Sequence, residues 1–152
     1  MVEPFCTKSA RVMPPRNSKI LIADDEFANR KLLRDYLRPY GHCDMVPNGK
    51  AAVELFTSDL EDGEPYDIVF LDIMMPEMDG QKALIRIRAA EKRLARRETP
   101  VIMVTGLDSS LQAMDAYFRG GCTDYITKPA TRQTLLEKLR KLNLIAEDNE
   151  EA

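Results

Sequence analysis

Ile68-Val69-Phe70-Leu71-Asp72-Ile73-Met74-Met75-Pro76-Glu77-Met78-Asp79-Gly80 decides the fold. An apolar run enters a carboxylate and then a loop closed by Pro, Asp and Gly. Such a run, bounded by turn residues, fits a strand buried on both faces, as in parallel sheets covered by helices. Asp72 then stands at the C-terminal end of the strand, where parallel α/β sheets carry their ligand crevice. A carboxylate in that place serves as a nucleophile, a metal ligand or both.

The pattern repeats on either side. Lys19-Ile20-Leu21-Ile22-Ala23 runs into Asp24-Asp25-Glu26, and Val101-Ile102-Met103-Val104 into Thr105-Gly106. Shorter strands are expected from Cys43 to Val46 and over Tyr125-Ile126-Thr127, the latter ending at Lys128-Pro129. Between them lie helical patterns. Leu32, Leu33, Tyr36 and Leu37 share a face in the first, and Ala52, Leu55 and Phe56 mark the second. Ala83, Leu84, Ile87 and Leu94 mark the third, whose basic C-terminal part, Glu91 to Arg97, suits the helix dipole before Pro100 stops it. A fourth helix is expected from about Ser109 to Arg119, stopped by Gly120-Gly121, and a fifth from about Thr131 with Leu135, Leu136, Leu139 and Leu142 in one stripe. Five strand–helix alternations predict an α/β parallel sheet with right-handed crossovers and helices on both faces. This domain spans 18–145, between a Pro-containing flexible extension (1–17) and an acidic tail (146–152).

The 152 residues, 44% apolar and 31% charged with net charge -3, suit one globular domain and give no electrostatic reason to expect nucleic-acid binding. No apolar stretch approaches the roughly 20 residues of a membrane span, and no signal core opens the chain. Cys6, Cys43 and Cys122 lack zinc spacing. Cys43 and Cys122, assigned to the second and fifth strands, read as small buried apolar groups, and a disulfide between them is excluded if those strands stand at opposite edges of the sheet. His42 reads as an exposed strand-edge residue, and Met74, Met75 and Met78 as loop and pocket packing. A reducing cytoplasm is the expected setting.

Because every strand of a parallel sheet ends on the same rim, Asp24, Asp25, Asp72, Thr105 and Lys128 are expected to converge. Carboxylates within about 4 Å of each other repel by about 4 kcal/mol per pair at an effective dielectric of 20, which calls for a cation. Oxygen donors without His or Cys select Mg2+ or Mn2+ over zinc. A metal, a carboxylate nucleophile, a lysine and a hydroxyl together suit phosphoryl transfer: Asp72 attacks in line, Lys128 offsets charge, Thr105 donates a hydrogen bond, and the unobstructed Gly106 N–H adds a donor.

Asp24-Asp25, Asp72 with Met75-Pro76-Glu77-Met78-Asp79-Gly80, Val104-Thr105-Gly106 and Asp124-Tyr125-Ile126-Thr127-Lys128-Pro129 together resemble the receiver domain of two-component response regulators, over about Ser18 to Ile145. The resemblance implies a flavodoxin-like (βα)5 three-layer sandwich with strand order 2-1-3-4-5. It implies that Asp72 accepts a phosphoryl group from a sensor histidine kinase or histidine phosphotransfer protein. Asp25, Asp72 and the Met74 carbonyl would bind Mg2+, with Asp24 acting through water. Lys128 would contact the phosphoryl oxygens, with a cis Lys128-Pro129 peptide, and Thr105 and Tyr125 would move together as the switch. Met74 and Leu107 would flank the approach of hydrolytic water. Ala130 departs from the family, where an aromatic residue commonly follows Lys-Pro. The expected function is a stand-alone phosphoprotein of a phosphorelay, not an enzyme. Its target protein, unknown from sequence, would dock on the fourth helix, fifth strand and fifth helix, including Met114, Tyr117, Phe118 and Tyr125; monomer and homodimer are both compatible.

Two rival classes make different demands. A haloacid dehalogenase-type Mg2+ phosphohydrolase also uses an Asp nucleophile but wants a second Asp two positions later, where Met74 stands. A flavin- or nucleotide-binding domain wants a phosphate loop after the first strand, where Asp24-Asp25-Glu26 would repel a phosphate.

Overall fold

Alternate residues of each long central strand face opposite ways, and both rows are apolar. In the computed structural model, which describes residues 18–106 and 121–146, this sorts the core into two layers. Leu21, Ala23, Val69, Leu71, Val101 and Met103 face one side, where Ala52, Phe56 and Leu60 of one helix and Ala83, Leu84 and Ile87 of another cover them. Ile20, Ile22, Ile68, Phe70, Ile102 and Val104 face the other, under Leu33 and Leu37 and under Leu135, Leu136 and Leu139.

The strands are β1 (Ser18–Ala23), β2 (Gly41–Val46), β3 (Ile68–Asp72), β4 (Val101–Thr105) and β5 (Asp124–Thr127). The described helices are α1 (Phe27–Leu37), α2 (Gly49–Glu61), α3 (Gly80–Arg93) and the C-terminal α4 (Arg132–Lys141). All pairings are parallel, in the order β2-β1-β3-β4-β5. This is the expected flavodoxin-like 2-1-3-4-5 sandwich, with β2 and β5 at the edges. The expected fourth helix, Leu107, Met114, Tyr117, Phe118, Cys6, the N-terminal extension and the tail beyond Ala146 lie outside the described residues. Among the described residues no helix is long and apolar enough to cross a membrane.

Helix starts follow local chemistry. Asn48, Asp79 and Thr131 cap α2, α3 and α4 by accepting from the backbone N–H groups of Ala51, Lys82 and Thr134. The loop after β3 is braced by two glycines, Gly80 at its end and Gly49 at the start of α2. The Gly80 N–H donates to the Ile73 carbonyl at 2.8 Å and the Gly49 N–H to the Met78 carbonyl at 3.1 Å. A Cβ at Gly80 would stand 2.3 Å from the Asp72 carbonyl oxygen. The Asp79-Gly80 pair thus closes the loop tightly against the strand end that carries Asp72.

Several expectations need correction. Leu32 is 41% exposed: Leu33 and Leu37, four apart, set the buried stripe, and Leu32 lies off it. Met74 is 61% exposed, whereas Met75 is buried and Met78 packs on the core. The second strand begins at Gly41, two residues before Cys43, and Cys43 is only half-buried. Cys122 is buried but precedes β5. The third helix stops at Arg93 rather than running to Arg97, because Ala95 turns left-handed (φ 55) and the Arg96 N–H returns to the Glu91 carbonyl.

Glu91, which opens the basic stretch Glu91 to Arg97, is 1% exposed. Its Oε2 accepts the Thr99 N–H at 2.6 Å and its Oε1 accepts from Arg88 at 2.9 Å. The Arg88 guanidinium also donates to the carbonyls of Thr99 and Gly121. One buried ion pair therefore ties α3 to the entry of β4 and to the segment before β5.

Candidate functional site

The register brings the strand ends level. Asp72 pairs with Val104, one residue before Thr105, and Thr105 pairs with Thr127, one residue before Lys128. Asp24 follows the last residue of β1 and is held by its Oδ1, which accepts the Glu26 N–H at 2.9 Å, and by its own N–H on the Val46 carbonyl. Asp24 thus caps the entry to α1, whose N-cap residue Glu26 makes no side-chain cap bond of its own. Helix capping and site membership coexist in one side chain.

One oxygen from each of Asp24, Asp25 and Asp72 lies within 4.8 Å of the others. Asp24 and Asp72 are 1% and 4% exposed, while Asp25 faces solvent. The Lys128 ammonium stands 3.2 Å from Asp72 Oδ2 and 3.4 Å from Asp24 Oδ2. The Asp24 atom has no hydrogen-bond partner despite its burial. One ammonium faces three carboxylates, so the cluster retains negative charge. The orphaned oxygen and the all-oxygen donor set fit a hard divalent cation.

Burial first, and the Asp24 charge second, push the Asp72 carboxyl up to about 6, against the pull of Lys128. Burial opposes the charge on Lys128, but Asp72 and Asp24 outweigh it and hold the ammonium above its usual range. A carboxyl with a raised folded-state pKa binds its proton more tightly in the native than in the unfolded chain. Its contribution to stability therefore falls as pH rises from about 4 to about 6 and stays low above that. The loss expected for metal-free protein is about 3 kcal/mol, read by urea unfolding between pH 4 and pH 7. Asp35 and Asp124 are held low and act below this window. Asp72→Asn should flatten the slope, and Mg2+ should restore stability at pH 7. An unchanged slope in the variant would assign the effect elsewhere.

Thr105 is fully buried, and its hydroxyl donates to the Gly106 carbonyl at 2.9 Å rather than toward Asp72. Gly106 has open space where a side chain would be. Tyr125, aligned with Met103 on the same face of the sheet as Thr105, is 39% exposed. The Lys128–Pro129 peptide is cis. His42 is exposed on edge strand β2 and meets Asp44, well away from the rim. Beside the carboxylates a cavity of about 450 Å3 opens between α1 and the loop after β5.

The family profile described as "Response regulator receiver domain" matches residues 20–140. Histidine kinase CKI1 of Arabidopsis thaliana is 32% identical over 123 residues, a match covering 74% of this chain and 11% of that protein, so the chain spans about a tenth of its relative's length. The crystal structure of the CKI1 receiver domain complexed with Mg2+ and BeF3- is similar at 31% identity and a TM-score of 0.71, over 85% of this chain and 91% of that one. The receiver domain of Ssk1, co-crystallised with the histidine phosphotransfer protein Ypd1 of Saccharomyces cerevisiae, is similar at 25% identity and a TM-score of 0.73, over 86% and 90%. The carboxylate cluster, the lysine that spans it and these likenesses agree: the chain belongs to the response regulator receiver domains of two-component signalling.

Proposed function

We propose that this receiver takes a phosphoryl group onto Asp72 from a histidine kinase or histidine phosphotransfer protein, and passes the change in state to a target protein. The observation that carries the reading is Lys128, placed 3.2 and 3.4 Å from two carboxylates of a cluster that stays negative around it. Asp24, Asp25 and Asp72, with the Met74 carbonyl, would hold Mg2+ or Mn2+. The bound ion offsets charge on the oxygens of the transferring group. In the transfer, an Asp72 carboxylate oxygen attacks phosphorus in line and the bond to the donor breaks. Lys128 pairs with the phosphoryl oxygens as they draw near, and the Gly106 N–H donates to one of them.

Thr105 supplies the link to the surface. Its hydroxyl leaves the Gly106 carbonyl for a phosphoryl oxygen, and the vacated space admits the Tyr125 ring. Asp72 phosphate then returns to water, so the chain acts as a self-modifying switch rather than as an enzyme with an external substrate. The reading is tested by labelling with acetyl phosphate. One acid-labile phosphoryl group per chain is expected with Mg2+ or Mn2+, and none with EDTA; metal-independent or acid-stable labelling would sink it. Crystals with and without beryllofluoride test the switch. Thr105 is expected to turn toward Asp72 and Tyr125 to lose most of its exposure, whereas identical rotamers in both would sink that part.

A further inference from the structure

Of the three carboxylates at the rim, two are held through their own side chains. Asp24 is buried and its Oδ1 accepts the Glu26 N–H at 2.9 Å, while Asp72 is buried and faces the Lys128 ammonium at 3.2 Å. Asp25 differs. It is exposed, and among the described residues its carboxylate has no hydrogen-bond or ion-pair partner, yet one of its oxygens lies within 4.8 Å of the other two ligand atoms. Water and like charge both draw such a side chain away from the cluster. The backbone that carries it must therefore do the placing, and that backbone is held from α1. The Arg30 Nη1 donates to the Asp24 carbonyl at 2.6 Å, and this carbonyl belongs to the planar peptide that joins Asp24 to Asp25. With the Asp24 N–H on the Val46 carbonyl and Oδ1 on Glu26, only Oδ2 of Asp24 is left without a hydrogen bond. Arg30 is in turn half-buried, its guanidinium 5.7 Å from the centroid of the Phe27 ring one turn earlier. That cation–π contact gives the exposed Phe27 a task within the molecule.

We propose that Arg30 is a positioning residue of the metal centre: by holding the Asp24 carbonyl it fixes the Asp24–Asp25 peptide and keeps the Asp25 carboxylate turned to the cation. The inference rests on the metal-assisted phosphoacceptor reading above. Its sign opposes simple Coulomb attraction and repulsion. A guanidinium bonded to Asp24 repels a cation, so as a charge alone Arg30 weakens metal binding and its removal should tighten it. As a positioner it strengthens binding, and its removal should loosen it. Groups that orient metal ligands commonly carry about tenfold or more in affinity. A single Nη1 bond to a carbonyl asks for one donor and not for a paired fork, so lysine can replace most of it.

The test titrates the metal-free full chain with Mn2+ alone at neutral pH, reading free and bound ion by electron paramagnetic resonance. Arg30→Met should raise the dissociation constant about tenfold, and Arg30→Lys should return it to within about threefold of wild type. Lys31→Met removes one positive charge from the same helix, where Lys31 pairs with Asp35, and should leave the constant unchanged or lower. Urea unfolding in EDTA establishes that each variant is folded. Arg30→Gln, too short for the Asp24 carbonyl, is the second variant and should loosen binding in the same direction if Arg30→Met does not fold. Equal or tighter binding without the guanidinium overturns the positioning role and leaves Arg30 as a repelling charge. A loss that Arg30→Lys does not relieve overturns it too, as does an equal loosening in Lys31→Met. Wild type that binds no Mn2+ at millimolar concentration sinks the metal reading itself instead.

Discussion

Asp72→Asn protein is expected to take up no phosphoryl group from acetyl phosphate and Mg2+, with labelling at least about 100-fold below wild type, while becoming more stable in the absence of metal. The two effects have one origin. Asp72 is 4% exposed beside Asp24, and its ionised form pays for burial and like charge in the native state. An amide removes that penalty, a gain of up to about 3 kcal/mol at pH 7 by the linkage worked out above. The same change deletes the nucleophile, since a neutral amide oxygen does not attack phosphorus as a carboxylate does. Mass spectrometry after incubation and urea unfolding in EDTA read the two halves separately. A variant that is stabilised but inert fixes Asp72 as the acceptor. Full labelling of a stabilised variant would move the acceptor to another carboxylate, with Asp25 the first to examine.

The second large effect lies on the opposite side of the fold's logic. Arg88→Met should destabilise the protein by about 3–5 kcal/mol, a large share of the roughly 5–15 kcal/mol that holds an ordinary domain folded. Glu91 is 1% exposed, and Arg88 is its charged partner at 2.9 Å. Removing the guanidinium leaves a buried carboxylate whose other oxygen must still cap the Thr99 N–H, and it strips donors from the carbonyls of Thr99 and Gly121. Replacing both partners, as Arg88→Met with Glu91→Leu, should recover part of the loss, because an unpaired buried charge costs more than an absent pair. A loss below about 1 kcal/mol in the single variant, measured by urea unfolding, would mean that solvent reaches Glu91 once Arg88 is gone.

The parts of the structure legible in the sequence are those whose cause is local or repeated. Ile68 to Leu71 and Val101 to Val104 are apolar on both rows, and a strand so composed needs helices on two sides. Asp24, Asp72, Thr105 and Lys128 were placed together because every parallel strand ends on one rim. The misreadings arose where a partner far along the chain decides. Glu91 sits among Arg88, Lys92 and Arg93 and looks like one more solvated charge; only the Thr99 N–H, eight residues on, makes it an interior group. Leu32 fits an apolar pattern, yet it is 41% exposed and borders a space whose other wall, Pro129 and Ala130, comes nearly a hundred residues later.

The edges of the sheet carry a consequence for behaviour in a crowded solution. An exposed edge strand is a template for aggregation, and long, flat, apolar edges are the most hazardous. Here one edge, β5, is four residues long and is followed at once by Lys128-Pro129, which cuts short the row of backbone groups that a second chain could extend. The other edge, β2, is six residues long but sets His42 and Asp44 among its side chains, and the Asp44 carboxylate is already engaged by His42 and by the Tyr66 hydroxyl. The apolar strands β1, β3 and β4 lie inside. Material that would drive fibrous stacking is thereby enclosed by two strands ill-suited to recruit more, which leaves loops and helices, rather than a lengthened sheet, as the surfaces on which this fold can meet another chain.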